Sequence, residues 1–244
     1  MENTNTQIHK IILWNKAEET DKSFDEISKD LFKVLCVFDE FPNEIRPNYF
    51  SAYSKNSFKK FNHSYETAKT ILKDFVNKEK NISFDNLGYR FSLFSSLENK
   101  KSFGYQILVG NKDKRFNNSI VISIPLGFDC YNSDNYNLIF NLFVKLSKAF
   151  NPYWGCIANK IISDQYNSFI DNKKPTTFYW VNYFDEDLQN IIGIEKIYES
   201  LSVFPNIRFK DNILSLQKVP INAFNKSEMD YHHQVECFFN LNNG

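Results

Sequence analysis

Glycine is scarce in this chain, with seven in 244 residues. Neither G-x-G-x-x-G nor G-x-x-x-x-G-K-[ST] occurs, so the backbone cradles that hold dinucleotides and nucleoside triphosphates are missing. Cysteine is scarce too. Cys36, Cys130, Cys156 and Cys237 follow no repeated spacing, which excludes a C-x-x-C motif and predicts reduced thiols. No apolar run reaches the roughly 18 residues that a membrane span needs. The opening "MENTNTQIHK" lacks a basic stretch followed by an apolar one, so no secretory signal is read there and a cytoplasmic protein is expected. Neither sign of charge is in excess: 29 basic and 29 acidic residues give a formal net charge of zero. Nucleic-acid binders usually carry a basic surplus, which argues against that class.

Phenylalanine, by contrast, is abundant at 25, and Asn and Lys are common beside only Arg46, Arg90, Arg115 and Arg208. An AT-rich genome favours these codons together, so aromatic richness alone is not read as function.

Apolar periodicity supplies the elements. "IHKIILW" (8–14) predicts a first strand. A helix follows with Phe24, Ile27, Leu31, Val34, Leu35 and Phe38 at helical spacing and Thr20 or Asp21 as its cap. Cys36 lies beside that stripe. A second helix is expected over 64–78, with Ala68, Ile71, Leu72, Phe75 and Val76 on one face. "YRFSLFS", "YQILVG" and "SIVISI" read as a meander of antiparallel strands. The clearest helix spans 134–150, capped by Ser133 or Asp134 and stopped by Pro152. "YWGCIA" and "TFYWVNYF" read as strands. A helix at 193–203, the strand pair "NIRFKD" and "ILSLQKV", and a last helix from Ser227 complete the chain. Ser227 and Asp230 there fit a capping box. Strands without regular βαβ alternation predict an α+β class: a single domain over 1–244, with a mainly antiparallel sheet and helices packed on it.

Chemistry is harder to find. Cys156 follows Gly155 but sits in an apolar run, where cysteine is usually a small core residue. His233 and Cys237, like His232 and Glu236, are four apart and share a helix face. Zinc would need two further ligands, and no second pair exists. These side chains are therefore read as polar residues on the outer face of the last helix. No metal and no cofactor are expected.

"PTTFYWVNYFDED" (175–187) crowds aromatic rings and then turns acidic. An aromatic platform for single-stranded nucleic acid needs basic neighbours. Asp185, Glu186 and Asp187 would repel phosphate, so this stretch is read as a sheet strand ending in an acidic rim. Asp39, Glu40 and Glu44 form a second acidic group.

Four stretches taken in order resemble the immunity protein 52 family of bacterial polymorphic toxin systems. They are the first strand with "LWNK" and its following helix, "AFNPYWGCIANK", "PTTFYWVNYF", and the closing "NILSLQKVPINAFNKSEMDYHHQVECFFNL". The resemblance is strongest from about 134 to 240. It departs at Tyr179, where the family has Gly before Trp, at Lys16, where an arginine is expected, and across 45–120. The resemblance implies a non-enzymatic cytoplasmic protein that binds and neutralises a cognate toxin. For this family the toxin is typically a nuclease of restriction-endonuclease-like fold, delivered by type VI or another contact-dependent secretion. Neither nucleic acid nor membrane is an expected partner. A blocker of a basic cleft should present carboxylates and aromatic anchors, which makes Asp185, Glu186, Asp187, Asp39, Glu40 and Glu44 the candidate toxin contacts. The alternative is a hydrolase or transferase with dispersed residues, using Cys156 or an acid–base pair with His232 or His233.

Overall fold

Alternating strands bury one face, and helices with one apolar stripe must cover it; here both come together on a single large sheet. The computed structural model describes residues 7–17, 22–51, 58–76, 78–79, 82–98, 100–166, 168–171 and 174–241. The chain begins with β1 (His9–Asn15) and α1 (Phe24–Val37), then runs through β2 (Tyr49–Ser51), β3 (Phe58–Lys60) and α2 (Tyr65–Asp74). A small ribbon, β4 (Lys78–Glu79) with β5 (Ile82–Ser83), precedes the meander β6 (Tyr89–Phe94), β7 (Gly104–Val109) and β8 (Asn118–Ser123). Next come α3 (Ser133–Phe150), β9 (Trp154–Asn159), α4 (Lys160–Ser163) and a second ribbon, β10 (Ile170–Asp171) with β11 (Lys174–Pro175). The last part holds β12 (Val181–Phe184), α5 (Glu186–Ile192), α6 (Ile194–Val203), β13 (Arg208–Lys210), β14 (Ile213–Ser215) and α7 (Lys226–Phe239).

Ten strands form one sheet in the order β13-β14-β12-β9-β1-β8-β7-β6-β2-β3. Every pairing in it is antiparallel. The α+β class with a mainly antiparallel sheet and helices packed on it therefore holds. β1 lies at the centre, with Leu13 opposite Ile120 of β8 and Gly155 of β9.

The face that carries Leu13, Ile120, Ile107, Tyr105 and Leu93 is buried along its length. Phe143 of α3 and Ile27 of α1 reach glycines on this side, and Phe38 meets Tyr105 edge-on at 5.2 Å. The opposite face is divided. Over β9, β12 and β14 it is covered: Phe178 packs on Phe184 and on Phe239 of α7. Over β8, β7, β6, β2 and β3 it faces solvent. Ser119, Val121, Leu108, Ser92 and Tyr49 are only half-buried there, and Gln106, Arg90 and Lys60 are exposed.

Several local expectations are corrected. Thr20 and Asp21 lie outside the described residues. Ser23 caps α1, with Glu26 completing a capping box. Asn132, not Ser133 or Asp134, caps α3; Asn225, not Ser227, caps α7. In both helices an asparagine side-chain oxygen accepts the first free amide, which starts the helix a residue or so early. Asn151 ends α3 in the left-handed region at φ 50°, just before Pro152. α2 stops at Asp74 rather than 78, and Val76 instead bridges to Tyr89. Only Val181–Phe184 of "TFYWVNYF" is strand. The Asn182 side chain accepts from the Tyr179 amide at 2.9 Å and donates to the Tyr179 carbonyl at 2.8 Å, closing the chain on itself before it joins the sheet. Thr177–Trp180 is nonetheless buried.

Trp154 is fully buried, and Trp180 is 4% exposed with its indole N–H donating to Gln217 O at 3.0 Å. Replacing either with Ala should cost roughly 3–5 kcal/mol. Gly155→Ala should cost about 1–3 kcal/mol, because the added carbon would stand 2.6 Å from Leu13 Cδ2 and 3.2 Å from the Ile12 carbonyl. Urea unfolding measures all three, and parent-like midpoints would contradict this packing.

His9 of β1 is 2% exposed, and neither ring nitrogen has a hydrogen-bond partner. Burial lowers its pKa from 6.5 to about 4, with the Gln7 backbone opposing the shift. The unfolded chain thus takes up this proton first. Its contribution is full above pH 6.5, is lost as pH falls towards 4, and amounts to roughly 3 kcal/mol. Unfolding at several pH values should show that loss in the parent. It should be reduced in His9→Gln; identical pH dependence in both would refute the assignment.

Candidate functional site

Where the covered half of the sheet meets the open half, the surface forms a step. Trp14 of β1 sits at its foot. Its ring lies 5.0 Å from that of Trp154 and 5.3 Å, edge-on, from Phe169. Trp154 in turn packs on Phe169 and Tyr179 at 6.1 and 6.5 Å. This aromatic cluster fixes the wall of the step, because large rings in mutual contact leave few alternative rotamers.

Two grooves meet at Trp14. One, of about 690 Å³, runs between Lys10, Val121, Lys160 and Tyr166. The other, of about 970 Å³, is bounded by Lys16, Lys114, Tyr153, Asp187 and Asn190. Together they make a shallow, partly apolar trough along the open side of the sheet.

Of the six acidic candidates, Asp187 borders this trough. It pairs with Lys16 at 2.9 Å, and the same ammonium lies 4.4 Å above the Tyr153 ring. The bond to Asp187 raises the Lys16 pKa and keeps it charged. Asp185 is the N-cap of α5, accepting from the Leu188 amide at 2.8 Å. Burial raises its carboxyl pKa, and the Leu188 amide opposes the shift. Glu186 and Asp187 occupy the first turn of α5, where the helix dipole favours negative charge. This helix was missed from sequence, although an acidic triplet before "LQNII" is the usual signature of a helix start.

The second acidic group lies elsewhere, at the end of α1. Asp39 meets His63 Nδ1 at 2.7 Å and Arg46 Nε at 3.9 Å, Glu40 pairs with Lys145 of α3, and Glu44 is exposed. No hydrogen bond or ion pair joins the two groups among the described residues.

The residues of the enzymatic alternative are placed as follows. Cys156 is fully buried, and burial pushes its thiol pKa well up, so the reactive thiolate is suppressed. His232 and Glu236 point inward, contrary to the expected outer face. His232 Nε2 lies 2.7 Å from the Phe178 carbonyl, and Glu236 accepts from the Tyr166 hydroxyl at 2.6 Å and from the Thr177 hydroxyl. The network staples α7 to the segment carrying the aromatic cluster. His233 and Cys237 face outward, with Nε2 3.6 Å from Sγ. No cluster of three or more metal-ligating side chains occurs among the described residues. No helix among them is long and apolar enough to cross a membrane.

No protein-family model matches the chain. No curated protein matches it either. Among solved structures it is similar in fold to the Pseudomonas aeruginosa T6SS protein PA0821, with a TM-score of 0.66 at 8% sequence identity. The likeness covers 96% of this chain and 73% of that one.

Capping and pairing give the acidic triplet unequal weights. Asp185→Ala should lose about 1 kcal/mol, whereas Glu186→Ala and Asp187→Ala should stay within about 0.5 kcal/mol of the parent. Equal midpoints for all three in urea titrations would remove the capping role.

Proposed function

We propose that the chain is a type VI secretion immunity protein: it binds one cognate toxin and neutralises it in the cytoplasm without catalysis. The observation that carries this reading is the fold likeness to a T6SS protein over 96% of the chain. The ordered resemblance to the immunity protein 52 family supports it independently. A nuclease is the toxin class that this resemblance suggests.

The physical mechanism is occlusion. A rigid sheet with a shaped trough presents a preformed surface, so little conformational freedom is lost when a partner docks. The aromatic wall at Trp14 and Phe169 supplies apolar area, and the polar rim supplies specificity. Asp187 and Glu186, on the wall side of the trough, are proposed contacts there. Asp185 acts on that surface indirectly, by starting the helix that carries them. Asp39, Glu40 and Glu44 form a second, separate set of proposed contacts.

The test is co-expression with the toxin encoded beside this gene. The two proteins should co-purify at one to one, and toxin activity should fall to zero at equimolar protein. Glu186→Gln with Asp187→Asn should weaken the complex while changing stability by no more than about 1 kcal/mol. Toxin inactivation at a ratio well below one protein per toxin would mean turnover and would overturn occlusion.

A further inference from the structure

The uncovered half of the sheet carries charge of one sign. Following the registers from β1 outward, this face presents Lys10, then the row Ser119, Val121 and Ser123, then Gly104, Gln106 and Leu108. Beyond them stand Arg90, Ser92 and Phe94, then Tyr49 and, on the edge strand, Lys60. Among the described residues none of these strand positions carries a carboxylate; Asp164, which lines the groove beside Lys10, is paired with Lys160. Lys10, Lys60 and Arg90 make no ion pair among the described residues. Some acidic residues elsewhere are paired within the chain, as in Asp187 with Lys16 and Glu40 with Lys145. In a chain of zero net charge, this flat, half-apolar surface thus bears a local positive charge.

We infer that this open sheet face, continuous with the trough at Trp14, is the principal docking surface, and that its occupant is a partner protein presenting carboxylates around an apolar contact. The inference rests on the reading of the chain as a toxin-binding protein and names the surface and the partner's charge. Small side chains at Gly104, Ser92, Ser119 and Ser123 let a partner approach the sheet closely. Val121 and Leu108 supply a dehydrating centre, and the cations at the margins steer an acidic partner into register. Nucleic acid is the poorer occupant. The exposed Phe58 is engaged edge-on with Phe94 at 5.5 Å, and Trp14 is wedged against Trp154 and Phe169, so free stacking faces are few.

The experiment compares the parent with Lys10→Glu/Arg90→Glu and with Gln106→Trp, which adds bulk to the face without charge. The probe is the toxin encoded beside the gene; binding is measured by surface kinetics at low and high salt, with thermal melts. The double variant should bind about tenfold or more weakly, chiefly through a slower association rate, and the deficit should shrink at high salt. Gln106→Trp should also bind more weakly, with little salt dependence. If the parent binds the toxin and both variants match it, this inference fails while the proposed function stands. If the parent forms no complex, both fall together. Tight binding of a labelled single-stranded oligonucleotide, lost in the double variant, would assign the face to nucleic acid and overturn the inference.

Discussion

Close approach at Gly155 is the constraint on which the rest of the structure depends. The first strand pairs with β9 through Leu13 and Gly155, and Phe143 of α3 reaches the same point. Any side chain there would push Leu13 or the helix away, and protein interiors have little slack to absorb the shift. Its neighbour Trp154 points to the other face, where it anchors Trp14, Phe169 and Tyr179. Two adjacent residues therefore tie both layers to the middle of the sheet. One does so by having no side chain and the other by having the largest.

The covering layer on the second face stops at that aromatic cluster. Its attachment is partly polar: Glu236 and His232 of α7 bond the segment that carries Phe169 and Tyr179 through Tyr166, Thr177 and the Phe178 carbonyl. A buried carboxylate is tolerated because hydroxyl donors satisfy it. Removing one donor would leave the other members of the network short of partners. The wall of the trough is thus held by directional bonds as well as by ring packing, whereas the opposite face of the sheet is held by apolar packing.

Much of this architecture was legible in the sequence. The meander alternates apolar and polar residues with period two, and α1 and α3 show clean apolar stripes where the structure buries them. The failures are local and have physical causes. Asparagine at 132 and 225 does the work expected of serine. Asn182 folds "TFYWVNYF" back before it can become a full strand. The triplet Asp185–Asp187 was read as a rim because charge was weighed as surface and not as the start of a helix. His232 and Glu236 point inward because the segment before Trp180 is itself buried and brings hydroxyls to meet them. The one-signed open face was not legible at all. Lys10, Arg90 and Lys60 are far apart in the chain, and only the strand order brings them to one surface.

That strand order also sets a schedule for synthesis. β1 is made before every other strand of the sheet, yet both of its neighbours come more than a hundred residues later, at 118–123 and 154–159. At roughly 5–20 residues per second, "KIILW" waits on the order of ten seconds before β9 exists to shield its second edge. In that interval it is a short, apolar, unpaired strand, the kind that pairs with the wrong neighbour. The β6–β8 meander closes on local contacts and can form early. Its edge at β8 is then the first legitimate partner that the waiting strand meets, so the open face is built before the helix that seals the centre has left the ribosome.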